Sequence, residues 1–169
     1  MTILGLDPGT ESCGYGVLCN KSGAAKNPHA GFECVGYGVM KTPRDKNAGE
    51  RLLLLEKSFA KVLKKYKPDA IGIERLFFFK NQKTIIGVSE ARGVLLALIA
   101  KNKIPVHEFT PLQMKLAVTG YGRAEKRQVQ WMLKELLRLP EIPKPDDAAD
   151  ALGIALSCSL LLQKNIPLS

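Results

Sequence analysis

Hydrophobic residues along the chain fall into two recurring patterns, and their order predicts a mixed α/β architecture. The opening Thr2-Ile-Leu-Gly-Leu-Asp7 is a short apolar run that stops at a carboxylate, and Pro8-Gly9 turns the chain at once. A run of this kind, bounded by turn residues, reads as a buried strand. Ser12 to Leu18 and Phe32 to Met40 read as two more strands, forming an antiparallel meander across a polar loop from Lys21 to Ala30. The period then changes. From Asn47 to Tyr66, Leu52, Leu55, Phe59, Val62 and Tyr66 recur at three- and four-residue steps with lysines opposite, which predicts an amphipathic helix. Lys67-Pro68-Asp69 ends it,. Ala70-Ile-Gly-Ile-Glu74 repeats the opening pattern, an apolar run closing on a single acid. A helix between two strands implies a crossover, so this strand is expected to run parallel to the first.

The second half is mainly helical. Thr84 to Ala100 is a helix rich in small and aliphatic residues, and Ile104 to Phe109 is a short fifth strand. Pro111 to Val118 and Glu125 to Leu137 read as short helices around a Gly120-Tyr-Gly122 loop. Pro140 to Pro145 is a stiff linker, and the last helix starts at Asp146-Asp147 and runs to about Gln163. No repeat or second-domain linker interrupts this order. The expected fold is one domain, residues 1–169, with a five-stranded mixed sheet and helices on both faces.

Charge adds what the pattern cannot. The chain has 25 Lys+Arg against 16 Asp+Glu, a net +9, which points to a polyanionic partner, nucleic acid before membrane. Cys13, Cys19, Cys34 and Cys158 form no C-x-x-C pair and read as reduced thiols. His29 and His107 are far apart, so zinc is not expected. A charge at Asp7 leaves no apolar leader segment ahead of it, and the run Ala151 to Leu162 is too short to span a bilayer. The expected location is the cytoplasm, without membrane association.

Within this frame four acids stand out. Asp7 and Glu74 each end an apolar strand, and Asp147 and Asp150, three residues apart at the start of the last helix, share one helix face. If the strands are neighbours and the helix crosses their ends, four carboxylates converge. Like charges held together repel unless protons or cations intervene, and Mg²⁺ suits such a cluster. On a basic protein the expected chemistry is two-metal hydrolysis of a phosphodiester. Each acid also has a plainer reading: turn residue for Asp7, strand end for Glu74, helix cap or first-turn residue for the Asp146-Asp147 pair. Asp146 reaches the Asp150 face as readily as Asp147 does, so spacing leaves the choice between them open.

The residues resemble a family, the RuvC Holliday-junction resolvases of the ribonuclease H-like superfamily. The blocks that carry the resemblance are Gly5-Leu-Asp7-Pro-Gly-Thr10, Ile73-Glu74-x-x-Phe77, Ala91-Arg-Gly-Val94, Gly120-x-Gly122-x-Ala-Glu-Lys126 and Asp147-Ala-Ala-Asp150-Ala-Leu152. Any one is weak, whereas five in order along nearly the whole chain are specific. The resemblance implies a ribonuclease H-like fold and a Mg²⁺-dependent endonuclease, with two ions per site and Mn²⁺ able to substitute. Such an enzyme acts as a homodimer and makes paired nicks in a four-way DNA junction, alongside a RuvA/RuvB-like branch-migration complex. It carries the metal-binding acids onto Asp7, Glu74, Asp147 and Asp150, and a base-stacking aromatic onto Phe77 with Phe78 beside it. Lys115 and Lys126 become lysines near the cut, and Arg123 a further DNA contact.

A plainer role for Phe77 to Phe79 is continuation of the strand into the core. The helix from Thr84 to Ala100 is the candidate dimer surface, although its apolar face could equally pack on the sheet. Three rival readings carry different chemistry. A nucleotide-binding ATPase of the actin and sugar-kinase type needs two such halves. A YqgF-like nuclease lacks the helical D-x-x-D. A non-catalytic junction binder gains nothing from acids that repel phosphate.

Overall fold

The computed structural model describes residues 1–20, 31–76 and 82–164. Five strands form one sheet: β1 (Thr2–Asp7), β2 (Ser12–Asn20), β3 (Phe32–Lys41), β4 (Ala70–Glu74) and β5 (Val106–Phe109). Their order across the sheet is β3-β2-β1-β4-β5. β1, β2 and β3 pair antiparallel, while β1–β4 and β4–β5 are parallel, so the meander and the crossover read from the sequence are both present. The helices are α1 (Ala48–Tyr66), α2 (Gln82–Lys101), α3 (Pro111–Thr119), α4 (Lys126–Leu137) and α5 (Asp146–Lys164). Asn47 caps α1 through a reciprocal box with Glu50, and Thr110 caps α3 in the same way with Gln113. Each box satisfies backbone N–H groups that the first turn leaves without partners. The loop from Lys21 to Ala30 lies outside the described residues.

Side chains alternate across a strand, and the sheet uses both faces. Leu4, Leu6, Ile71 and Ile73 point into one core with Leu55 and Phe59 of α1 and Leu95 and Ile99 of α2. The other face carries Ile3 and Leu18 against α5, with α3 and α4 outside it. α5 is therefore covered on both sides, and Ala148, Ala149, Ala151, Leu152, Ala155 and Leu156 have no exposed surface. A helix apolar nearly all round is a core helix. Among the described residues no helix is long and apolar enough to cross a membrane.

How closely α5 approaches the sheet decides the geometry of its N-terminus. Gly16, Gly5 and Gly72 are register partners on β2, β1 and β4, forming a row without side chains. A Cβ at Gly5 would overlap the carbonyl oxygen of Ala151, and one at Gly16 would lie 2.7 Å from the Cα of Leu152. At Gly72 it would meet Ile154 Cγ2 at 2.9 Å. The helix backbone thus rests almost directly on strand backbone.

Gly5→Ala is expected to lower stability by ~1–3 kcal/mol, the usual cost of overpacking, with α5 displaced. Gly49→Ala, whose new methyl would meet only Asn47 Oδ1 at 3.5 Å, is expected to stabilise by about 0.5–1 kcal/mol. Urea unfolding of the two variants checks both signs.

Candidate functional site

Asp7 is the last residue of β1 and Glu74 the last of β4. Leu6 lies opposite Ile73, so one further step along the parallel ladder sets the two acids side by side. Each stands two residues beyond a glycine of the row, in Gly5-Leu6-Asp7 and Gly72-Ile73-Glu74, and so shares the face on which α5 lies. Gly14 pairs with Asp7 across the sheet, and a Cβ on it would overlap the backbone carbonyl of Asp147. The first turn of α5 is pressed onto the strand ends in this way. The distant acids meet because backbone packs on backbone.

The charges of the four acids act on one another. Burial pushes the Asp7 carboxyl up to about 9, with further increments from Glu74, which also shares a hydrogen bond with it, then from Asp150 and Asp147. Burial and the charge of Asp150 also raise Glu74. Asp150 is raised by burial in spite of the nearby Lys126 ammonium. Oxygen is the only donor type in this set, which fits a hard divalent cation. Among the described residues no three His, Cys, Asp or Glu side chains are gathered around one point as ready-made ligands. The carboxylates are instead engaged in pairs: Asp7 with Glu74, Asp147 with the Ser12 hydroxyl, and Asp150 with Lys126 Nζ at 3.5 Å. These contacts use the oxygens a cation would take, so a cation held here would replace one set of partners with another.

Asp146 and Asp147 part company at the helix start. Ser12 Oγ on β2 donates to Asp147 Oδ2, which holds that carboxylate on the sheet side. Asp146 is 60% exposed and turns towards α4, accepting from Gln130 Nε2 at 2.8 Å and pairing with Lys126 Nζ at 3.1 Å. The Lys126 hydrogen bond, then that of Gln130, keeps its carboxyl below the usual range. For Lys126, burial works against the charge but Asp150 and Asp146 outweigh it, so the ammonium is held more firmly protonated.

The remaining sequence-derived residues are placed as follows. Lys126 opens α4 beside the acids, Lys115 is half-buried on α3, and exposed Arg123 lies in the α3–α4 loop. Phe77 and Phe78 lie outside the described residues. Two features escaped the sequence reading. One is Ser12. The other is Glu108 on β5, which pairs with Arg75 Nε at 3.3 Å and Arg92 Nη2 at 2.5 Å; it anchors the backbone just past Glu74. For the glycine row a signal did exist, the doubled Gly-x-acid ending of β1 and β4.

A family model described as "Crossover junction endodeoxyribonuclease RuvC" matches residues 3–158. The chain belongs to the RuvC family. A RuvC from Fusobacterium nucleatum is 48% identical over 157 residues, covering 93% of this chain and 79% of the relative. One from Caldicellulosiruptor saccharolyticus is 43% identical over 166 residues, covering 98% and 96%. Among solved structures, Thermus thermophilus RuvC superposes with a TM-score of 0.86 at 30% identity, covering 98% of this chain and 97% of that one. The same protein in complex with a Holliday junction substrate gives 0.87 at 32% identity, covering 98% and 96%. The RuvC fold, with its open mixed sheet and helices on both faces, is therefore the fold of this chain.

The raised Asp7 carboxyl has a consequence for stability. Its folded value lies above the ordinary 3.8, so between those limits the folded state holds a proton that the unfolded state has released. Stability is then greatest at low pH within that window and falls as pH rises towards about 9,. Asp7→Asn is expected to make the metal-free protein more stable at pH 8 and to flatten its decline from pH 5. Urea midpoints in chelator at the two pH values test this, and parallel curves for variant and parent would contradict it.

Proposed function

We propose that the chain nicks four-way DNA junctions, hydrolysing one phosphodiester per active site at the Asp7, Glu74, Asp147 and Asp150 centre. The observation that carries this reading is geometric: Asp7 and Glu74 finish neighbouring parallel strands, and the start of α5, with Asp147 and Asp150, is pressed against those strand ends. Such crowding is costly unless cations share it. The family is one of divalent-metal nucleases; we assign two Mg²⁺ ions per site, with Mn²⁺ able to substitute. Bound there, these ions would supply the acidity that activates the attacking water and stabilises the leaving 3′ oxygen.

The protein groups divide the rest of the work. Asp7, at the end of a strand paired on both sides, is the fixed ligand, and Glu74 beside it with Asp147 and Asp150 of α5 complete the set. Ser12 keeps Asp147 turned inward. Lys126, loosely shared between Asp146 and Asp150, is free to turn to a phosphate once those acids have other partners. Lys115 and Arg123 add positive charge along the DNA path, and each such contact steepens the salt dependence of binding. Phe77, with Phe78, is the proposed aromatic for unpaired junction bases.

Two strands of a four-way junction are equivalent about a two-fold axis, so two sites with the same symmetry match it. Ser89, Gly93, Ala97 and Ala100 are exposed along α2, and Ile86 is 65% exposed on the same helix. A Cβ on Gly93 would meet nothing within 4 Å. This face is the proposed dimer surface. A branch-migration complex of the RuvA/RuvB kind is the proposed protein partner, since a junction must be held and moved before it is cut.

Cleavage of a synthetic four-way junction against linear duplex, with Mg²⁺ and with chelator, tests the reading. Nicks confined to the junction and dependent on the cation are expected, and equal cutting of linear duplex would remove junction specificity. Asp147→Asn should slow cleavage by about 1,000-fold or more, as loss of several kcal/mol of transition-state stabilisation implies, yet still bind the junction. Asp146→Asn should remain active, and the reverse pattern would exchange the two roles. Gly93→Arg should yield a folded monomer by sedimentation; a persisting dimer would move the interface elsewhere.

A further inference from the structure

Outside the acidic centre, the described surface carries an apolar groove whose lining is suited to a ligand. It lies where the α3–α4 loop meets α4 and encloses about 440 Å³, within the usual range for small-ligand pockets,. Thr119, Tyr121, Arg127, Gln128, Trp131 and Met132 line it. Trp131 is 53% exposed and Tyr121 60% exposed. Neither has a role in the core, and Trp131 is the single tryptophan of the chain. Arg127 and Trp131 are four residues apart on α4 and so share one helix face.

Resting on the proposed junction-cutting activity, we propose that this groove is a nucleotide subsite, in which an unpaired base of the junction strand stacks on Trp131 and Arg127 meets the adjoining phosphate. Three observations favour DNA over a protein segment. The lining contains a cation and no acid, complementing a polyanion. The Nε2 amide of Gln128, whose Oε1 already accepts from the Glu125 N–H, is a donor of the kind that pairs with a base edge,. The groove also neighbours the acidic centre along the chain, since Arg127 of its lining directly follows Lys126. Lys126, which touches Asp146 and Asp150, opens the helix that carries Trp131 five positions later, and five residues of α-helix advance about 7.5 Å. Stacking on an exposed aromatic tolerates any base, because every base has a π-face. The subsite therefore holds the strand in place without reading its sequence.

The single tryptophan makes the test direct. The full-length protein in chelator, so that no strand is cut, is titrated at fixed salt with a four-way junction, a short oligothymidylate and a linear duplex. Wild-type cutting of the junction with Mg²⁺ is assayed in parallel. Saturable quenching of Trp131 emission by the junction and the oligothymidylate, but little by duplex, is expected. Trp131→Ala should weaken junction binding about 5- to 150-fold, while Trp131→Phe retains most of the affinity and reports that the fold is intact. Junction cutting with unchanged Trp131 emission, or quenching with unaltered affinity in Trp131→Ala, overturns the subsite and leaves the enzyme reading standing. Emission that responds only when a branch-migration protein is added also overturns it, making the groove a protein dock. Absence of any junction cutting by the wild type would defeat the proposed activity itself.

Discussion

The arrangement of this protein depends on one contact: a helix backbone lying directly on three strands. Gly16, Gly5 and Gly72 form a file across β2, β1 and β4, and α5 settles into it until peptide groups touch. Any side chain in that file would lift the helix away from the sheet. Asp147 and Asp150 would then lose their position over Asp7, because the first turn of α5 rests on the strand ends through the close approach at Gly14 and the Ser12–Asp147 hydrogen bond. Packing density, usually discussed as a source of stability, here sets the span between charged groups.

That closeness creates an electrostatic problem, and the protein answers it piecemeal. Asp7 and Glu74 share a hydrogen bond, Ser12 donates to Asp147, and Lys126 spans Asp146 and Asp150. Each contact is local and exchangeable. A basic protein that gathers its acids at one place spends stability to do so, as catalytic sites commonly do. The surplus of positive charge elsewhere on the chain, net +9, draws in the phosphate backbone that the acids alone would repel.

Much of this was legible in the residues. The strand-then-acid pattern placed Asp7 and Glu74, the three- and four-residue period gave α1, and the D-x-x-D spacing put Asp147 and Asp150 on one face. These signals survive because each rests on a short-range periodicity that the fold has no reason to override. Boundaries moved slightly: α2 starts at Gln82 rather than Thr84, and β5 at Val106 rather than Ile104, since Pro105 has no N–H to give although its carbonyl still accepts from Ile71 N at 2.9 Å,. The orientation of Asp146 against Asp147 was not legible. One helical step separates them, and their difference comes from Ser12 on β2 and Gln130 on α4, residues remote in sequence. The glycine row was legible only in part: the doubled Gly-x-acid ending marks Gly5 and Gly72, but their alignment with Gly16 exists only once the register is known.

The strand order also bears on how the centre loosens. β1 is paired on both edges, to β2 and β4, so Asp7 ends the central strand of the sheet. Regions of a protein open separately, with their own free energies. The outer helix α4, which brings Lys126, makes far fewer contacts with the sheet and belongs to a shallower unit. The half of the centre that grips and the half that lets go thus reside in layers of unequal persistence, and turnover can relax one while the other stays folded.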